Sequence, residues 1–123
     1  MMFGKKIVAV DDSPLILKIL KKVLGEFHEL HAFSEGLRAL QFLETKTPDL
    51  IILDIDMPKL NGYEMLKIIK GKEALKNVPV IFLTSNADKD HVVRAVADGA
   101  NDYIVKPIDE DILLIKIETL LSD

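Results

Sequence analysis

The sequence predicts an α/β domain of the doubly wound kind, in which five parallel strands alternate with five helices. Three observations predict it. Short β-rich apolar runs are each followed by a stretch whose apolar residues recur at helical spacing, and the pairing occurs five times along the chain. Two of the runs, "LIIL" and "VIFL", are apolar without alternation, as strands read when both faces of a parallel sheet are covered. The 123 residues are also the size of one ordinary domain, so every element has to share a single structure.

The first strand is "KKIVAV". It runs at once into "DDSP", where Ser13 is placed to cap a helix and Pro14 suits the first turn. In "LILKILKKVLGEF", Ile16, Leu17, Leu20, Val23 and Leu24 recur at helical spacing, and Gly25 is placed to stop the helix. "HELHAF" and "SEGLRALQFLE" form the second pair, "DLIILD" and "GYEMLKIIKGKEAL" the third. "VPVIFLT" and "DKDHVVRAVAD" form the fourth, "NDYIVK" and "DEDILLIKIETLL" the fifth. Right-handed crossovers between parallel strands then lay helices on both faces of the sheet. There is no internal repeat, low-complexity tract or linker, so residues 1–123 read as one domain with no output domain in this chain.

Composition excludes several function classes. The net charge is −4, with lysines and arginines scattered among acids, so there is no basic stripe for a nucleic-acid backbone. The opening "MMFGKK" lacks a long apolar segment, and no apolar stretch approaches the roughly 18 residues of a membrane span. The expectation is a cytoplasmic protein. With no cysteine, disulfides, thiolate metal sites and a cysteine nucleophile are all absent.

In open parallel sheets the working site lies beyond the carboxyl ends of the strands. Asp11 and Asp12 follow the first strand, Asp54 ends the third, Thr84 and Ser85 end the fourth, and Lys106 ends the fifth. Taken singly, such residues are common caps and turn formers. Together they are different, because three carboxylates at neighbouring strand ends repel one another and ask for a cation. Magnesium fits, being a hard ion that takes oxygen ligands and leaves room for water and phosphate. A lysine to act as a point charge and a threonine hydroxyl to donate to an oxyanion complete a set suited to phosphoryl transfer. An ionised carboxylate needs no activating base, and Asp54 is the best placed nucleophile.

In order and spacing, "VDDSP", "LDIDMPKLNGYEML", "FLTSNAD" and "GANDYIVKP" resemble the acidic pair, the phosphoacceptor segment, the hydroxyl segment and the Lys-Pro segment of two-component response-regulator receiver domains, over essentially the whole chain. The resemblance implies a CheY-like, flavodoxin-like (βα)5 fold with strand order 2-1-3-4-5. It implies that Asp54 is phosphorylated, that Asp12 and Asp54 bind magnesium with Asp11 helping through water, and that the backbone carbonyl of Asp56 completes the protein ligands. It places Thr84 and Lys106 on the phosphoryl oxygens and a cis peptide at Lys106–Pro107. Tyr103 falls where the family has an aromatic that turns inward when Thr84 is drawn toward phosphate. Asp56 and Asn86 flank the path of the attacking water, and Ser85 stands where Ala or Gly is commoner, so these three are expected to tune the lifetime of the phosphorylated form. The implied partners are a histidine kinase or histidine phosphotransfer domain, a downstream protein target and a phosphorylation-linked homodimer. A domain of this kind accepts its own phosphoryl group and is not a turnover enzyme.

Some apolar positions exceed what one helix face buries. Leu15 and Ile19 fall off the core face of the first helix, where the family meets its phosphodonor. Ile112 and Ile115 exceed the stripe of Leu113, Ile117 and Leu120 in the last. With Tyr103 they outline a face for a target or a second copy. His28, His31 and His91 lie away from the acids and are expected to be solvated, without a role. The enzyme alternative is a haloacid-dehalogenase-like phosphatase, since "LDID" resembles its Asp-x-Asp segment. That family has its nucleophile after the first strand and its acidic pair late, the reverse of the order here. A dinucleotide site is disfavoured because "DDSP" lacks the glycine-rich turn and its carboxylates would repel pyrophosphate. A receiver that acts only as an interaction module ranks lower, because none of the five site residues is missing.

Overall fold

The computed structural model describes residues 3–85 and 89–122, apart from the side chains at positions 89 and 91. Strands and helices alternate as β1 (Lys6–Val10), α1 (Pro14–Leu24), β2 (Glu29–Phe33), α2 (Gly36–Leu43), β3 (Leu50–Asp54), α3 (Gly62–Lys70), β4 (Val80–Thr84), α4 (Lys89–Ala97), β5 (Asp102–Val105) and α5 (Glu110–Leu121). The strands form one parallel sheet in the expected order β2-β1-β3-β4-β5.

Because side chains alternate along a strand, each strand feeds two cores. Ile7, Ala9, Ile52, Ile81 and Leu83 meet Leu20 and Leu24 of α1 and Leu113 and Ile117 of α5. Val8, Val10, Ile51, Leu53 and Phe82 meet Ala39 of α2, Met65 and Ile69 of α3 and Ala95 of α4 on the other face. β3 and β4 are buried at every position, which accounts for their unbroken apolar runs, whereas edge strand β2 is only half covered.

The helix starts follow local chemistry. Ser13 caps α1, its hydroxyl accepting from the Ile16 amide at 3.4 Å, with Pro14 in the first turn. α3 begins with a reciprocal box in which the Asn61 side chain accepts from Glu64 N at 2.9 Å and the Glu64 carboxylate accepts from Asn61 N at 3.0 Å. Gly62, in its first turn, packs directly on the end of β3: a Cβ there would lie 2.6 Å from the Asp54 carbonyl oxygen and 2.9 Å from Ile55 Cα. The Lys106–Pro107 peptide is cis, as expected.

Gly25 ends α1 as expected, in right-handed backbone with φ of −66°, where a Cβ would collide with the Lys21 carbonyl oxygen. The expectations need correction in three places. α3 stops at Lys70 and does not run on through "GKEAL"; Gly71 N closes onto Lys67 O and Ile68 O, both at 3.2 Å, and successive turns then bury Leu75 and Val78. His28 is buried, with its Nδ1 accepting from Lys5 N at 3.3 Å and its Nε2 4.0 Å from Glu118 Oε1. His31 is a half-buried strand residue whose Nε2 is 2.6 Å from Glu29 Oε2. Both imidazoles are held by neighbouring polar groups, which a reading of charge pattern alone does not reveal.

Candidate functional site

The sheet reverses its winding direction between β1 and β3, and the predicted residues gather at the carboxyl edge beside that point. Asp11 follows β1 and is fully buried; Asp54 is the last residue of β3, and Thr84 the last of β4, both 2% exposed. Asp12 is exposed beside them. Lys106, just past β5, donates its backbone N–H to Thr84 O at 2.8 Å, which ties the ends of β4 and β5 together.

Oxygens of Asp11, Asp12 and Asp54 lie within 4.8 Å of one another, a grouping able to hold a metal ion. Asp11 Oδ1 accepts from Ser13 N at 2.9 Å, so the residue that caps α1 also fixes this carboxylate. Asp54 Oδ1 accepts from Asp56 N and from Lys106 Nζ, each at 3.2 Å. The same ammonium stands 2.9 Å from Asp11 Oδ2, a charge contact that is off hydrogen-bonding direction and leaves that buried oxygen without a hydrogen bond.

These distances decide the electrostatics. Burial, and next the Asp11 charge, push the Asp54 carboxyl up from 3.8 to about 7, against the opposing pull of Lys106 and the Asp56 amide. For Lys106, burial disfavours the charged form, but contact with Asp11 and then Asp54 outweighs it and raises the ammonium above its ordinary value. Among the described residues, Lys106 serves both buried carboxylates, so negative charge outnumbers positive in the cluster. The donors are all carboxylate oxygens, one of them buried without a hydrogen bond, which is the donor set a hard divalent cation takes.

Residues 7–118 match the response regulator receiver domain family. The chain belongs to that family. It is 32% identical over 119 residues to the chemotaxis protein CheY of Pseudomonas aeruginosa, covering 95% of this chain and 96% of that one. The receiver domain of a signal transduction histidine kinase from Syntrophus aciditrophicus is similar at a TM-score of 0.88 and 38% identity, over 97% of this chain and 91% of that chain. The receiver domain of a Pseudomonas aeruginosa sensor histidine kinase, described with a magnesium ion coordinated in its active site cleft, gives a TM-score of 0.89 at 26% identity, over 98% of this chain and 99% of that chain.

Around this receiver core, the structure brings some predicted residues to the site and leaves others apart. Asp56 and Ser85 are exposed at its rim, and Asn86 lies outside the described residues. Tyr103 is half-buried on β5, its ring against the core beneath α2, α3 and α4. Ile112 and Ile115 are exposed as predicted, and Val93 and Val96 of α4 join them in being uncovered. Leu15 is exposed, but Ile19 packs partly against the core between α1 and α5. Of the histidines, neither His28 nor His31 belongs to the acidic group, and the His91 side chain lies outside the described residues. No helix among the described residues is long and apolar enough to cross a membrane.

Sequence reasoning missed two contributors. Gly62 sets how closely α3 approaches the Asp54 backbone, and its only signal was a glycine at the start of a helix. Lys116 of α5 reaches across edge strand β5 to Tyr103. It sits one helical turn after Ile112, on a face the sequence alone assigned to partners.

Proposed function

We propose that Asp54 accepts a phosphoryl group from the phosphohistidine of a histidine kinase or histidine phosphotransfer domain. An Asp54 carboxylate oxygen attacks phosphorus, the phosphorus–nitrogen bond breaks with its electron pair passing to the imidazole, and an aspartyl phosphate results. Because the carboxylate attacks in its ionised form, no neighbouring base is required. Magnesium, held by Asp11, Asp12, Asp54 and the Asp56 backbone carbonyl, would neutralise the phosphoryl oxygens and return Asp54 to its ionised form. Lys106 pairs with one phosphoryl oxygen and Thr84 donates its hydroxyl to another.

The observation that carries this reading is the Lys106 ammonium shared between the buried Asp11 and Asp54 carboxylates, with Asp12 close by. A phosphoryl group gives Lys106 and Thr84 new partners, and a two-state protein responds to such differential contacts. Movement of Thr84 then frees space for Tyr103, changing the surface formed by α4, β5 and α5 where Val105, Ile112 and Ile115 are exposed. That surface receives a downstream protein or a second copy of the chain. Asp56, Ser85 and Asn86 set how long the phosphoryl group survives. The chain undergoes its own modification and its loss, without turnover of an external substrate.

The test is intact mass after incubation with magnesium and acetyl phosphate, with Asp54→Asn and chelator-treated samples alongside. Gain of one phosphoryl group that needs both Asp54 and magnesium is expected. Repeated hydrolysis of an unrelated phosphate ester would favour the phosphatase reading instead, and no gain by a folded sample would favour a silent interaction module.

A further inference from the structure

Tyr103 is gripped from two sides by one residue. Lys116 Nζ donates to the Tyr103 carbonyl oxygen at 2.6 Å and lies 4.6 Å from the centre of the same residue's ring. It also donates to Asp102 Oδ1 at 3.0 Å, and that oxygen accepts in turn from Tyr103 N at 2.8 Å. α5 packs on one face of the sheet and the Tyr103 ring on the other, so the lysine stem wraps the open edge of β5 to make these contacts. Lys116 and Asp102 are both partly shielded from solvent, at 27% and 33% side-chain exposure, which places the ion pair among those less screened by salt. The lining of the adjoining groove, about 410 Å³, includes Tyr103, Lys106, Ile112 and Lys116. The grip therefore stands between Lys106 of the acidic site and the exposed Ile112.

We propose that Lys116 is a positioning residue that holds the Tyr103 ring and strand β5 in the resting arrangement, and that it thereby sets how readily the domain switches. The proposal rests on the receiver reading for the word switch, but the grip itself does not depend on phosphorylation. A ring held over an ammonium has to leave it, or carry it along, when it turns inward. Contacts made only in the resting state bias the equilibrium toward that state. Exposed cation–π contacts are worth roughly a two- to five-fold factor in an equilibrium constant. By reciprocity, a ligand that favours the switched form must bind more tightly, by the same factor, once the grip is removed.

The chain has two tyrosines and no tryptophan, so fluorotyrosine labelling yields two fluorine resonances, and Tyr103→Phe assigns them. The resonance of Tyr103 is followed in wild type, Lys116→Met and Lys116→Arg, first at rest and then during titration with magnesium and beryllofluoride as the phosphoryl mimic. Met keeps the stem and removes the charge; Arg keeps a cation able to reach ring and carboxylate. At rest, Lys116→Met is expected to move the Tyr103 resonance toward its beryllofluoride-saturated position while Lys116→Arg stays near wild type. Half-saturation should fall about three-fold in Lys116→Met and remain near wild type in Lys116→Arg. A resting Tyr103 resonance in Lys116→Met that coincides with wild type overturns the grip. A resting shift without a change in half-saturation overturns the claim that the grip sets the switch. A wild type that binds no beryllofluoride defeats the phosphoacceptor reading, and the resting spectra still decide the grip.

Discussion

Asp54→Asn is expected to stabilise the metal-free protein, and to do so most strongly at neutral and alkaline pH. The carboxyl titrates at about 7 in the fold against 3.8 for the ordinary group, chiefly because it is buried and then because Asp11 is charged beside it. The folded protein thus binds more protons than the unfolded chain between about pH 4 and 7, and its stability falls as pH rises through that window. A difference of about three pH units corresponds to about 4 kcal/mol of destabilisation above pH 7. Asparagine removes the charge, keeps an oxygen to accept the Asp56 amide, and gives up the pairing with Lys106 at 3.2 Å. The expected net gain at pH 8 is about 2 to 4 kcal/mol, shrinking to about 1 kcal/mol at pH 4.5 where the wild-type carboxyl is protonated in the fold. Urea unfolding in chelator at the two pH values measures it. Magnesium should then recover stability in wild type, by about 2.7 kcal/mol at a hundred times its dissociation constant, and less in the variant. A variant no more stable than wild type at pH 8, or a gain that is the same at both pH values, would refute the electrostatic account.

Other perturbations test the parts separately. Lys106→Met takes the ammonium from two buried carboxylates at once and should cost about 3 kcal/mol at pH 8 in chelator, read by the same unfolding assay. Gly62→Ala forces a Cβ against backbone at 2.6 and 2.9 Å and should cost about 1 to 3 kcal/mol. Since that backbone carries Asp54, slower phosphoryl uptake from acetyl phosphate should accompany it. His28 is kept neutral, mainly by burial, with its pKa below 6.5 despite the pull of Glu118 and Asp49. Its contribution is present above pH 6.5 and lost as pH falls through the folded value, opposite in sign to that of Asp54. In an Asp54→Asn background, unfolding from pH 7.5 to 5 should show stability declining with acid, and His28→Gln should flatten the decline.

How much of this was legible in the sequence depends on whether a feature is written locally. The strands "LIILD" and "VIFLT" were plain because two-sided burial removes alternation, and both are buried throughout. The start of α1 was plain because Ser13 and Pro14 are local signals read by the backbone beside them. The end of α3 was not, because "GKEAL" keeps apolar and helix-forming residues at usable spacing while Gly71 and the burial of Leu75 and Val78 redirect the chain. His28 was misjudged for a related reason. A lone imidazole in a loop reads as solvated, and only the meeting of the Lys5 amide with the end of α5 supplies a buried place for it.

The site divides along the same line. Asp11, Asp54, Thr84 and Lys106 are fixed by position: each sits at a strand end, and a parallel sheet brings strand ends together whatever the side chains are. Their chemistry could therefore be read before any contact was seen. Lys116 is fixed by reach. Its backbone belongs to α5, on the face of the sheet away from the Tyr103 ring, and only a long flexible stem brings the ammonium round the β5 edge. No spacing rule predicts that path, because the 13-residue separation of Tyr103 and Lys116 spans a turn and the start of a helix. Site positions fixed by backbone follow from topology, whereas a contact that biases an equilibrium between two arrangements can sit wherever a side chain reaches. A receiver's chemistry is for that reason easier to read from sequence than its set-point.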